Sequence, residues 1–237
     1  SMTTRTIFDL ASLSKPIGAG SAAILLCQTQ QMDSNTYVAD WLNNYHNDVR
    51  IVDLLTHKSG LPAYLGVARL DSICRARGIS DIDRPTFLID SIGRCYRPSQ
   101  VGEKYRYSCL NFISLQGVIE QIVGKDLNRY LRDGLYADLG ITMGWLPEDS
   151  LQHLIAPTEC NDEDCLRGKV HDPLARVMMQ GISGNAGIFA SAEDIARWAI
   201  WFMQLPTDIR EKACNAGLWT DSVHIKASTL KRIQRDQ

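Results

Sequence analysis

A serine stands three residues ahead of a lysine in Phe8-Asp9-Leu10-Ala11-Ser12-Leu13-Ser14-Lys15-Pro16. Positions three apart share a helix face, so Ser12 and Lys15 would point the same way. A serine hydroxyl becomes a useful nucleophile when a neighbouring base takes its proton, and a desolvated lysine can be that base. The chain then runs Ile17-Gly18-Ala19-Gly20-Ser21-Ala22-Ala23-Ile24-Leu25-Leu26, small and apolar. That run predicts a buried helix from about Leu13 to Gln30, with Pro16 in a first turn whose N–H groups have no intrahelical partner. The partial positive charge of a helix N-terminus would also favour a developing anion. The spacing alone does not decide. It recurs at Ser228-Thr229-Leu230-Lys231, and a serine at a helix start is most often a cap.

At 237 residues the chain is long enough to bury a substantial core in one large domain or two small ones. A net charge of −2 argues against a nucleic-acid surface, and no apolar run reaches membrane-spanning length. The seven cysteines are scattered and odd in number, so a disulfide framework is not expected. Cys160, Cys165 and His171 sketch a metal site, but their spacing matches no common zinc pattern. Free thiols are the expectation there.

A second stretch with chemistry in it is Pro98-Ser99-Gln100-Val101-Gly102-Glu103-Lys104-Tyr105-Arg106-Tyr107-Ser108-Cys109-Leu110-Asn111-Phe112. It resembles the Pro-Gly-x-x-[Phe/Tyr]-x-Tyr-Ser-Asn segment of the serine β-lactamase and penicillin-binding-protein superfamily. The Ser12 segment resembles the nucleophile motif of the same superfamily, in the class C branch with its D-alanyl-D-alanine peptidases and esterases. Three further segments resemble that branch. Leu54-Leu55-Thr56-His57-Lys58-Ser59-Gly60-Leu61-Pro62 carries lysine where threonine is usual. Ile155-Ala156-Pro157-Thr158-Glu159 leads to Arg167-Gly168-Lys169-Val170-His171-Asp172, and Gly184-Asn185-Ala186-Gly187-Ile188-Phe189 follows. The resemblance runs from Thr6 to about Lys231.

On this resemblance Ser12 is acylated, Lys15 activates it, and Tyr107 relays protons. Cys109 and Asn185 are the substrate-contacting positions. Cys109 departs from the usual asparagine, and a thiol is a weak hydrogen-bonding group. That weakens a contact to a substrate amide. Lys58-Ser59-Gly60 and Tyr45-His46-Asn47 imitate later motifs of the superfamily but lie too early in the chain. His57 is expected to tie a turn together, and His171-Asp172 to be structural or to line a channel. The Gly181 to Gly187 run is expected to be a tight turn and not a phosphate loop.

The elements that must position these residues are mostly helices. Phe112, Leu115, Ile119 and Ile122 step by three and four and predict an amphipathic helix ended by Gly124. Leu127, Tyr130, Leu131 and Leu135 predict the next. Ser191 to Asp194 is a capping box opening a helix that Pro206 ends. Residues 207 to 237 are expected to form a last helical excursion.

The expected architecture is therefore mostly α: the helical domain of the β-lactamase/transpeptidase-like α+β fold. One domain is expected over 1–237, cut short at both ends, with the N- and C-terminal strands of the antiparallel sheet missing. The Lys-Thr-Gly or His-x-Gly motif would be missing with them, and so would one oxyanion-hole donor. Losing such a donor costs about a hundredfold in rate. The implied function is a serine hydrolase acting through an acyl-enzyme on a peptidoglycan peptide, a β-lactam or a small ester. The alternative is a non-catalytic peptidoglycan-binding or scaffold relative. No metal or organic cofactor is implied. The partners expected are a small-molecule or peptide substrate and a segment or chain supplying the missing strands. Superfamily members are usually exported or periplasmic, although no export signal is visible here.

Overall fold

The computed structural model describes residues 2–161, 164–208 and 210. Strand β1 (Ile7–Asp9) delivers the chain to Ser12. Its antiparallel partner is β4 (Phe189–Ser191), in the register Ile7↔Ser191, Phe8↔Ala190, Asp9↔Phe189. Neither strand is legible in the sequence, because three residues are too few to show alternation. The second sheet is a small hairpin, β2 (Glu159–Cys160) with β3 (Cys165–Leu166). Cys160 and Cys165 are joined there by a disulfide. This corrects the expectation of free thiols. Cysteine counting over the whole chain cannot see that a turn brings two of them together.

The expected single helix from Leu13 to Gln30 is three pieces. A 3-10 turn over Ala11–Leu13 carries Ser12, a wide π-type turn follows over Lys15–Gly20, and helix α1 spans Ser21–Gln28. The wide turn is packed against Trp145, where a side chain at Gly18 would meet the indole ring. After α1 come α2 (Ile51–Leu55), α3 (Val67–Arg77) and α4 (Arg84–Arg94).

Helix α5 (Cys109–Val123) is the centre of the core. It was expected to be amphipathic, yet every residue from Leu110 to Ile119 is buried. A helix covered on all sides must satisfy the polar groups it takes inside. Ser114 accepts from the Tyr45 hydroxyl at 2.7 Å, Asn111 accepts from Ser59 at 2.5 Å, and Gln116 donates to Ile182 O at 3.1 Å. Tyr45 and Ser59, the early imitations of later motifs, are thus structural, as expected.

Gly124 ends α5 in the left-handed conformation, and α6 (Leu127–Leu131) follows, continuing in a wide turn to Tyr136 with a kink at Gly134. Helix α7 (Ala192–Gln204) opens on the predicted capping box. Ser191 Oγ accepts from Asp194 N at 3.2 Å, and Asp194 Oδ2 accepts from Ser191 N at 3.1 Å. Trp198 and Phe202 stack on its buried face. The last expected excursion and the Ser228-Thr229-Leu230-Lys231 copy fall outside the described residues, apart from the start of the excursion. Among the described residues, no helix is long and apolar enough to cross a membrane.

Candidate active site

The turn that carries Ser12 is held from both sides. Asp9, at the end of β1, accepts from Ala11 N with Oδ1 at 2.8 Å and from His171 N with Oδ2 at 2.7 Å. The first of these bonds holds Ala11 at φ +46°, a conformation most side chains avoid. On the other side, Leu10 N donates to Ile188 O at 2.9 Å, and Ile188 N donates to the buried Ser14 Oγ at 3.0 Å. Ser12 is left exposed between these anchors.

Lys15 is 3% exposed, and its side-chain nitrogen is the hub of the site. Nζ lies 3.1 Å from Ser12 Oγ. It donates to the Asn185 carbonyl at 3.0 Å and to Cys109 Sγ at 3.7 Å. It sits over the Tyr107 ring, 4.8 Å from the centroid. A cation over an aromatic face gains roughly 0.5–2 kcal/mol, more as water is excluded. All five residues expected at the site therefore meet at one nitrogen: Ser12, Lys15, Tyr107, Cys109 and Asn185. Asn185 is fully buried and makes its contact through the backbone, while its Oδ1 accepts from Ser183 Oγ at 2.5 Å.

Tyr107 is placed by the residues on either side of it. Ser108 caps α5 by accepting from Leu110 N at 3.2 Å, and its hydroxyl donates to Pro62 O at 2.7 Å. Beneath Tyr107 lies His57, ring to ring at 4.7 Å. His57 Nδ1 faces the Ser108 N–H at 3.2 Å and the Asn111 amide at 2.9 Å. A nitrogen that accepts from a backbone N–H carries no proton, so His57 is neutral with its hydrogen on Nε2. Burial, and then the charge of Lys15, push its pKa down to about 4. The histidine ties the turn together, as expected.

His171 and Asp172 do not join the cluster by their side chains. His171 Nε2 lies 3.4 Å from Glu159, and Asp172 accepts from Ala175 N at 2.8 Å at the start of a helical turn. Asp9 and Gln116 were missed. Asp9 gave no signal beyond its motif. Gln116 did give one: it is an uncharged polar residue in the apolar run Phe112–Ile119. A cavity of about 610 Å³ is lined by Arg5, Trp145, Phe189 and Arg197 among others, but by none of the five clustered residues. Its three arginines are matched by three carboxylates, so it shows no charge preference and is not the candidate site.

The model of the family described as beta-lactamase matches residues 1–224. The chain belongs to the beta-lactamase family. Among curated relatives of this beta-lactamase-family chain, a putative D-alanyl-D-alanine carboxypeptidase of Escherichia coli K12 is 28% identical, over 82% of this chain and 50% of its own length. An N-acetylmuramyl-L-alanine amidase of Bacillus subtilis is also 28% identical, over 82% of this chain and 49% of its own. The chain thus spans about half the length of these relatives. A penicillin-binding protein from Bacillus halodurans superposes with a TM-score of 0.70 at 20% identity, covering 94% of this chain and 68% of that one. That likeness shows the fold. The mostly helical architecture with small sheets agrees with it, and the family supports a serine-hydrolase type of function in general.

Proposed function

We propose that this chain carries the nucleophile and base of a serine hydrolase that works through an acyl-enzyme on an amide or ester. The observation that carries the reading is the buried Lys15 amine, 3.1 Å from the exposed Ser12 hydroxyl. A neutral amine has two N–H bonds and one lone pair. The two donors go to Asn185 O and Cys109 Sγ. The lone pair is then left for the proton of Ser12 Oγ. As that proton moves, Oγ bonds the substrate carbonyl carbon and the Ser12 backbone N–H faces the new oxyanion. The resulting ammonium is met by the Asn185 carbonyl and the Tyr107 ring. The proton held by Lys15 then passes through the Tyr107 hydroxyl to the leaving amine or alcohol as the carbonyl reforms, and water attacks the acyl-enzyme, returning one proton to Ser12 Oγ and releasing the acid. The names of the relatives, a D-alanyl-D-alanine carboxypeptidase and an N-acetylmuramyl-L-alanine amidase, support peptidoglycan peptides as one substrate class. A β-lactam or small ester fits the same chemistry.

A chromogenic p-nitrophenyl ester tests this reading. A stoichiometric burst of p-nitrophenol is expected, with the acyl group on the wild-type chain by intact mass and absent from Ser12→Ala. Steady release without a burst, unchanged in Ser12→Ala, would overturn it. Cys109 favours a second reading, a peptidoglycan-binding relative without turnover, because a thiol replaces the amide expected to hold a substrate carbonyl. That reading predicts no adduct, together with retention on insoluble peptidoglycan.

A further inference from the structure

Gln116 lies midway along α5, 2% exposed among apolar neighbours, and both ends of its amide are in use. Oε1 accepts from Gly184 N at 2.8 Å. Nε2 donates to Ile182 O at 3.1 Å and to Glu120 Oε1 at 2.9 Å. Glu120 Oε1 is fixed in turn by the Leu127 N–H at 2.9 Å. Gln116 therefore grips the loop at two points of its backbone. The residue after Gly184 is Asn185, whose carbonyl receives the Lys15 amine. The far side of the same loop is held by Trp145 Nε1, which donates to Ser183 O at 2.9 Å and Ala186 O at 3.0 Å. Against this frame a side chain at position 184 would collide with the Phe112 carbonyl of α5, so the loop has one seat.

We propose that Gln116 is a positioning residue for the acylation of Ser12: it fixes the Asn185 carbonyl, and through it aims the Lys15 amine. The inference rests on Lys15 serving as the base. An amide is needed because the grip uses a donor and an acceptor together. A carboxylate at 116 could accept from Gly184 N, but could not donate to Ile182 O, and it would stand beside Glu120. An aliphatic side chain offers neither bond and strands two buried backbone groups. In both cases the Asn185 carbonyl loses its anchor on the α5 side and is held from the Trp145 side alone. The amine then loses one of the two acceptors that direct its lone pair. A misplacement of about 1 Å in a reacting group can cost on the order of a hundredfold in rate.

The test is the rate of fluorophosphonate labelling, read by intact mass over a range of probe concentration and pH. In that reaction the Ser12 Oγ–P bond forms, fluoride leaves, and the serine proton passes to Lys15. Wild type, Gln116→Leu, Gln116→Glu and Ser12→Ala are compared below their melting temperatures. The maximal rate constant is expected to fall at least about tenfold in both Gln116 variants, with a displaced pH profile. The probe concentration giving half-maximal rate should not change. Should Gln116→Leu not fold, Gln116→Met, unbranched and of similar length, takes its place. Folded variants that label at the wild-type rate and pH profile, or that change only the half-maximal concentration, overturn the proposal and leave the serine-hydrolase reading standing. A wild type that does not label, or a Ser12→Ala variant that does, overturns that reading and this inference with it.

Discussion

His57 shows how a single side chain can be read for chemistry and turn out to serve geometry. It sits at φ +57°, accepts two hydrogen bonds at Nδ1, and supports the Tyr107 ring. Protonating it would break both bonds and place a cation near Lys15. The folded state therefore binds that proton less readily than the unfolded chain, with a pKa of about 4 against an ordinary 6.5. The sign follows from linkage: stability contributed by neutral His57 is fully present above about pH 6.5 and is lost as pH falls toward 4. The cost at the low end is on the order of 2–3 kcal/mol. Urea unfolding at near-neutral and mildly acidic pH measures it, with His57→Asn as the comparison. Wild type should lose more stability on acidification than the variant does. Equal losses would mean that His57 titrates normally in the fold.

Elements matter here chiefly as clamps on short loops. The Ser12 turn is fixed by β1, by Asp9 and by the Ile188 backbone, and the 182–188 loop is fixed by α5 and Trp145. Gly184 is where loop and helix touch. Gly184→Ala would push a methyl group into the Phe112 carbonyl, and backbone on both sides must move. A loss of about 2 kcal/mol is expected from such overpacking. It should appear as a lower urea midpoint with an unchanged slope. An unchanged midpoint would mean that the loop is not seated against α5 as described. Much at this scale was legible in advance. The capping box of α7, the stop at Gly124 and the helical run of α5 each have a local cause. The pairing of β1 with β4 does not, because it joins residues some 180 positions apart through strands of three residues. The Cys160–Cys165 disulfide and the break of the first helix into three pieces are likewise set by tertiary packing and turn geometry.

Across the whole molecule, the site is built from four distant segments: the Ser12–Lys15 turn, the Leu54–Pro62 turn, the start of α5 and the Gly181–Phe189 loop. The motifs pointed to Ser12, Lys15 and Tyr107 because each motif is local. They could not show that Asn185 meets Lys15 through its carbonyl, or that Gln116 and Asp9 stand behind the loop and the turn, since those links run through the fold. The family membership and the shared fold cover this chain almost throughout, while the chain covers about half of its curated relatives. The central claim is that burial of Lys15 beside Ser12 is sufficient, within this chain, to activate the serine. Intact mass after fluorophosphonate treatment of wild type and Ser12→Ala tests it most directly. The account predicts a single adduct on the wild type and none on the variant. No adduct on the wild type, or an adduct that survives in Ser12→Ala, would contradict it.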